Sequence, residues 1–275
     1  MDLALILGIV LAFGALLGMI SLEGASVTAL LLPAPMMLVI FGTIAVGIAS
    51  GTIRDAKNAV AALPRAFRGE RRTAAGMIET VVGYAERARS EGLLALESSL
   101  DEEKDPFVRK ALQNLADGVD PEELRVVMED EIATVAARNR AVSGFYQTLG
   151  GYAPTVGIIG TVVSLTHVLE KLDEPSELGP MIAAAFVATL WGLLSANFIW
   201  LPIGNRLRRL GEIEMDRMNL VMEGMLAVQS GMSPHQLSDR LQALVDEPVK
   251  KGRGRKGGAD DAATEEAAPE EALLP

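Results

Sequence analysis

Two stretches of this chain are too long, too apolar and too poor in charge to fold in water. Residues 150–169 read GGYAPTVGIIGTVVSLTHVL, and residues 179–203 read GPMIAAAFVATLWGLLSANFIWLPI. Each reaches the roughly 20 residues that a helix needs to cross the hydrocarbon core of a bilayer. Two further apolar runs, 3–20 and 36–53, precede them, and none of the four contains Asp, Glu, Lys or Arg. The fold class expected is all-α: a polytopic membrane protein with four transmembrane helices and a helical cytoplasmic domain between helices 2 and 3. No basic region precedes the first run and no small-residue cleavage site follows it, so a retained span is expected rather than a signal peptide.

Charge sets the orientation. Arg54, Lys57, Arg65, Arg68, Arg71 and Arg72 follow the second run, Arg138 and Arg140 precede the third, and Arg206, Arg208 and Arg209 follow the fourth. The two remaining short loops hold only Lys171 as a basic residue. The positive-inside rule therefore places both termini and segment 54–146 in the cytoplasm. The expected division is 1–53 for helices 1 and 2, 54–146 for the cytoplasmic domain and 147–204 for helices 3 and 4. Residues 205–248 follow as cytoplasmic C-terminal helices. Residues 249–275, rich in Gly, Ala, Glu, Lys and Arg, read as a disordered tail.

Local signals fill in the cytoplasmic part. Met77, Val81, Tyr84 and Ala88 keep a helical rhythm that Gly92 interrupts. Asp105-Pro106 and Asp120-Pro121 are helix starts, and Gly118 and Gly231 are stops. The helix from Glu122 is expected to run through Arg140 towards the third span. Met215, Met218, Met222 and Met225 form a stripe that reads as core.

With no cysteine among 275 residues, a disulfide scaffold and a thiolate site are excluded, and two distant histidines make a metal centre improbable. No catalytic set is recognisable, so a lipid-modifying enzyme is disfavoured. The net charge of -11 argues against nucleic acid. What the long runs do carry is a proline near the end that adjoins the basic segments, Pro154 and Pro202, and a stripe of small or hydroxylated residues. Pro154, Gly157, Thr161 and Ser164 share one helix face, and Ala185, Thr189, Gly192 and Ala196 share another. Such stripes either let helices approach closely or line a polar path. Each proline leaves a carbonyl without its donor, at Gly150 and Phe198. Since the third span runs outward and the fourth inward, both prolines are expected at one level near the cytoplasmic face, with Thr161 and Thr189 at different depths above them. An ion-translocating protein needs an ionisable group in the membrane, and the four runs offer none. If the chain conducts, a partner supplies the carboxylate.

Five segments together resemble the MotA/PomA A-subunits of the bacterial flagellar stator, within the MotA/TolQ/ExbB proton channel superfamily. They are ARSEGLLALE (88–97), DPFVRKALQNLADGVDPEELRVVMEDEI (105–132), YAPTVGIIGTVVSL (152–165), ATLWGLLSANFIWLP (188–202) and MEGMLAVQSGMSP (222–234). The resemblance covers residues 1–245. It implies a homo-oligomer, a pentamer, around a dimer of MotB-like B-subunits that supply the membrane aspartate. It implies no cofactor, translocation of H+ or Na+, and torque on the rotor switch protein FliG. By motif match, Arg89 and Glu97 are rotor-interacting, expected at the end of the cytoplasmic domain furthest from the membrane. Pro154, Thr161, Thr189 and Pro202 belong to the ion path and torque coupling. Ser164 departs from the family's frequent glycine, and Glu23 is the one charge in the first external loop. The alternative is a TolQ/ExbB-type energising subunit, which usually has one span before its cytoplasmic domain where this chain has two. A purely structural scaffold is the blandest reading.

Overall fold

The computed structural model describes residues 4–24, 26–69 and 74–245. Arg71, Arg72 and the tail 249–275 lie outside the described residues. Helices α1 (Ala4–Leu22), α2 (Pro33–Ala49), α3 (Ile53–Arg68), α4 (Ala74–Glu91), α5 (Pro106–Ala116), α6 (Pro121–Glu170), α7 (Pro175–Leu194), α8 (Leu201–Gln229) and α9 (Pro234–Ala243) are joined by short 3-10 turns and one π turn. Among the described residues there is no strand.

The fold is organised by two rods. One is α6, 50 residues without interruption. Asp120 starts it by accepting from the Glu122 amide at 3.0 Å, with Pro121 in the first turn and Glu122 and Glu123 favoured at the positive end of the helix dipole. The other is α7, the π turn and α8, 55 residues end to end. Both rods pass straight through the expected membrane boundaries, so no joint separates the spans from the cytoplasmic helices. Three described helices are long and apolar enough to cross a membrane: α1, α6 and the α7–α8 rod. The fourth apolar helix, α2, has 17 residues.

The second apolar run was expected to continue to Ile53, but α2 ends at Ala49. The cause is a capping box. The Asp55 amide donates to Thr52 Oγ1 and the Thr52 amide donates to Asp55 Oδ2, both at 3.1 Å, and a new helix begins at Ile53. These bonds from Thr52 hold the Asp55 carboxyl below the usual carboxylate range. Helix α3 is strongly amphipathic: Ala59 and Ala66 are buried, while Arg54, Lys57 and Arg68 face solvent. Its Ala59 carbonyl accepts from the Tyr146 hydroxyl at 2.8 Å, and burial pushes that phenol up to about 12, so it stays a donor.

Segments 54–146 and 205–248, distant in sequence, share one core. Met77, Val81 and Ala85 of α4 pack with Leu112 and Leu115 of α5, Leu124 and Met128 of α6, Met218, Met222 and Met225 of α8, and Leu237 and Leu241 of α9. The methionine stripe is core, as expected. The expected breaks hold too. Gly92, Gly118 and Gly231 adopt φ of 88°, 71° and 74°, conformations that other residues enter only at a cost. Ser233 caps α9.

Candidate functional site

The two small-residue stripes face each other. A Cβ on Gly157 would lie 2.9 Å from the Ala188 carbonyl oxygen and 3.1 Å from Gly192 Cα. One on Gly192 would lie 2.8 Å from the Ala153 carbonyl oxygen and 3.3 Å from Pro154 Cα. Only glycine permits this backbone approach, which is how helices associate tightly where burial from water gives no driving force. On the other flank of α6, Gly42 of α2 approaches Val156, and Gly47 approaches Leu149. Gly51 sits in the turn before α3, with Asp55 as its nearest neighbour.

Immediately beyond the glycine contact, the Thr161 and Thr189 hydroxyls hydrogen-bond each other. The Thr161 oxygen also lies 3.1 Å from the carbonyl oxygens of Gly157 and Ala185. The two hydroxyls are therefore one polar node at a single depth, not two steps of a route. Their pairing also fixes the prolines. Pro154 packs beside Gly192, whereas Pro202 follows Leu201, whose side chain packs on Gly150. The prolines are thus staggered along the rods by on the order of 10 Å rather than level. The expectation failed because the register of two antiparallel helices is set by which small residues interlock, not by distance from each helix's end.

The prolines also differ in local structure. α6 stays α-helical through Pro154. Ahead of Pro202 the rod widens into a π turn, Ser195–Trp200, which includes Phe198, the residue whose carbonyl lost its donor. Pro202 borders a cavity of about 250 Å³ shared with Ala4, Leu5, Gly8 and Ala12 of α1 and with Asn197 and Phe198. In the last turn of α7, the Trp191 indole donates to the Leu30 carbonyl at 2.7 Å and ties α7 to the segment between α1 and α2. Glu23 in that segment and His167 near the C-terminal end of α6 are exposed, and His167 Nδ1 is 3.3 Å from Glu170. Ser164 is half-buried.

Arg89 and Glu97 lie on either side of the Gly92 turn, and both are exposed. Among the described residues neither has an ion-pair partner. Their depth differs from expectation. Gly224 of α8 touches Val81 of α4, whereas Arg217, closer to the membrane rod, pairs with Asp105 in the turn that holds Tyr84. Helix α4 therefore climbs back towards the membrane, and Arg89 and Glu97 sit on the flank. The far end is formed where Gln229 donates to the Val119 carbonyl at 2.5 Å.

This helical architecture, with apolar segments long enough to span a bilayer and interlocked through glycine around a hydroxyl pair, is that of a polytopic membrane protein. The sequence profile of the MotA/TolQ/ExbB proton channel family matches residues 99–220. Motility protein A of Bacillus subtilis is 35% identical over 88% of this chain and 90% of its own length. The structure of the Campylobacter (C. jejuni) MotAB superposes with a TM-score of 0.87 over 92% of this chain and 100% of that one, at 27% identity. The flagellar MotAB stator complex from Bacillus subtilis gives a TM-score of 0.80 over 86% and 93%, at 35% identity. The chain belongs to the motility protein A (MotA/PomA) family of flagellar stator A-subunits.

Proposed function

We propose that the chain, a multi-pass inner-membrane protein, works as the A-subunit of a flagellar stator that turns ion flow into torque. Its helices α1, α2, α6 and α7–π–α8 provide four spans, both termini are cytoplasmic, and five copies surround a dimer of a MotB-like partner. That partner contributes the membrane aspartate this chain lacks. The Thr161–Thr189 node lies beside the path of H+ or Na+, the bends at Pro154 and Pro202 relay the partner's change of charge, and Arg89 and Glu97 push on FliG. The chain itself performs no covalent chemistry.

The observation that carries this reading over an ExbB-type role is the length of the likeness. It runs from the first apolar helices through the cytoplasmic core, not only through the region shared by the wider channel family.

The test is motility in a strain that lacks its own A-subunit and expresses this chain with its cognate partner. Swimming should return. Exposed ion pairs are individually worth below about 1 kcal/mol, so Arg89 or Glu97 reversed alone should slow cells slightly. Reversing both should hurt more, and complementary reversal on the rotor should restore part of the loss. Unchanged swimming in the double reversal sinks the rotor assignment. No rescue despite correct membrane insertion of both subunits favours the ExbB-type alternative.

A further inference from the structure

The cytoplasmic domain contains an ion pair that its core does not need for packing. Arg217 of α8 and Asp105 are joined through Nη1 and Oδ2, with only 11% and 7% of their side chains exposed. Burying two charges costs as much desolvation as their attraction returns, so such a pair is weak evidence for stability and better evidence for a fixed geometry.

The geometry here is a chain of bonds. The other Asp105 oxygen caps α5 by accepting from the Phe107 amide at 3.0 Å. The Asp105 amide donates to Glu103 Oε1 at 2.7 Å, and Glu103 Oε2 accepts from the Tyr84 hydroxyl at 2.8 Å. Arg109 donates through Nε to the Glu103 carbonyl at 3.1 Å. Arg87 of α4 donates to Ser99 Oγ at 2.6 Å, at the end of the 3-10 turn Leu93–Ser99. Arg217 is thereby connected to α4, which ends beyond Arg89, and to the turn that follows Glu97.

Helix α8 is unbroken from the π turn to this point, and Pro202 to Arg217 spans roughly 22 Å along its axis. A rod that shifts or rotates at its deformable point moves everything bonded rigidly to it. We infer that Arg217 and Asp105 are a positioning pair, the strut through which motion of α8 reaches the segment bearing Arg89 and Glu97. The inference rests on the stator reading above. Neither residue touches the ion or the rotor. Their task is to hold the rotor-facing segment in fixed register with the membrane rod.

The prediction is a split between two readouts of the intact two-subunit complex. Arg217→Gln should leave co-purification with the partner and the ion leak of plug-deleted complexes at wild-type levels. Stall torque per stator should fall by about threefold or more, the size of effect seen when coupling networks are cut. Asp105→Arg combined with Arg217→Asp should recover part of the torque. Normal torque in Arg217→Gln overturns the proposal. If Arg217→Gln fails to assemble, Arg217→Lys, which keeps the charge but loses the planar fork, decides. Assembly with reduced torque supports the strut, while normal torque or failure to assemble overturns it. If the wild-type complex gives neither leak nor torque, it is the stator reading that fails.

Discussion

The same two rods meet twice, and they meet differently each time. In the apolar stretch, α6 and α7 touch through glycine and alanine, with one hydroxyl pair and no charge. Beyond it, α6 and α8 are joined by large side chains such as Leu124, Met225 and Val221, braced by an ion pair. Arg125 of α6 bonds Glu223 of α8 at 3.2 Å, and Arg65 brings in α3 by bonding Glu214 of α8 at 2.9 Å. The contrast follows from the solvent. In water, burying large apolar side chains drives association. In lipid that drive vanishes, and close backbone packing with satisfied hydroxyls takes its place. One pair of helices thus carries two association codes, and the crossover lies near Tyr146 and Gly204, where a Cβ added to Gly204 would lie 3.1 Å from Tyr146 Cβ.

Truncation should expose the difference first. Leu112 is fully buried in the core shared by α4, α5, α6, α8 and α9, and Leu112→Ala should cost about 2–5 kcal/mol of stability. Thermal unfolding of the detergent-solubilised protein would measure it, and a loss well under 1 kcal/mol would mean the core is not the packed unit described here. In the apolar stretch the sensitive change is the opposite one, an addition. Gly192→Ala places a methyl against the Ala153 carbonyl and Pro154, which should cost about 1–3 kcal/mol. Gly83→Ala, where nothing lies within 4 Å, is the matched control and should be neutral. Equal tolerance of both would remove the case for glycine interlocking.

The smallest effect belongs to the junction between α2 and α3. Asp55 titrates below its ordinary 3.8 because it accepts bonds from Thr52. Its contribution is therefore complete above that value and fades only as pH falls through the lower, folded value. Thr52→Ala should slightly loosen the start of α3, seen as faster amide exchange there at neutral pH. The difference from wild type should shrink in strong acid to the share of the Asp55 amide–Thr52 Oγ1 bond, which does not titrate. A difference that instead grew on acidification would contradict the assignment.

Much of this was legible in the chain. Punctuation by Gly92, Gly118, Asp120-Pro121 and Gly231 falls where the backbone turns, because those signals are local. The glycine and threonine stripes were visible as candidates for contact or path. What the sequence could not provide was register. The meeting of Thr161 with Thr189 and the stagger of Pro154 and Pro202 depend on which side chains interlock across two rods. The depth of Arg89 and Glu97 depends on α4 doubling back. The sharing of one core by segments 54–146 and 205–248 is likewise a long-range fact. Helix α3 was missed for another reason: its basic residues read as a topology signal and hid its amphipathic rhythm. The Thr52-x-x-Asp55 box would have revealed it.

On the proposed stator reading, this chain builds an ion path whose ionisable group comes from a partner. The direct measurement is ion flux into membrane vesicles that contain this chain alone, or this chain with its MotB-like partner after removal of the partner's plug region. The account predicts no flux from the chain alone, flux with the partner, and loss of that flux when the partner's membrane aspartate is replaced by asparagine. Robust flux from this chain alone would contradict it.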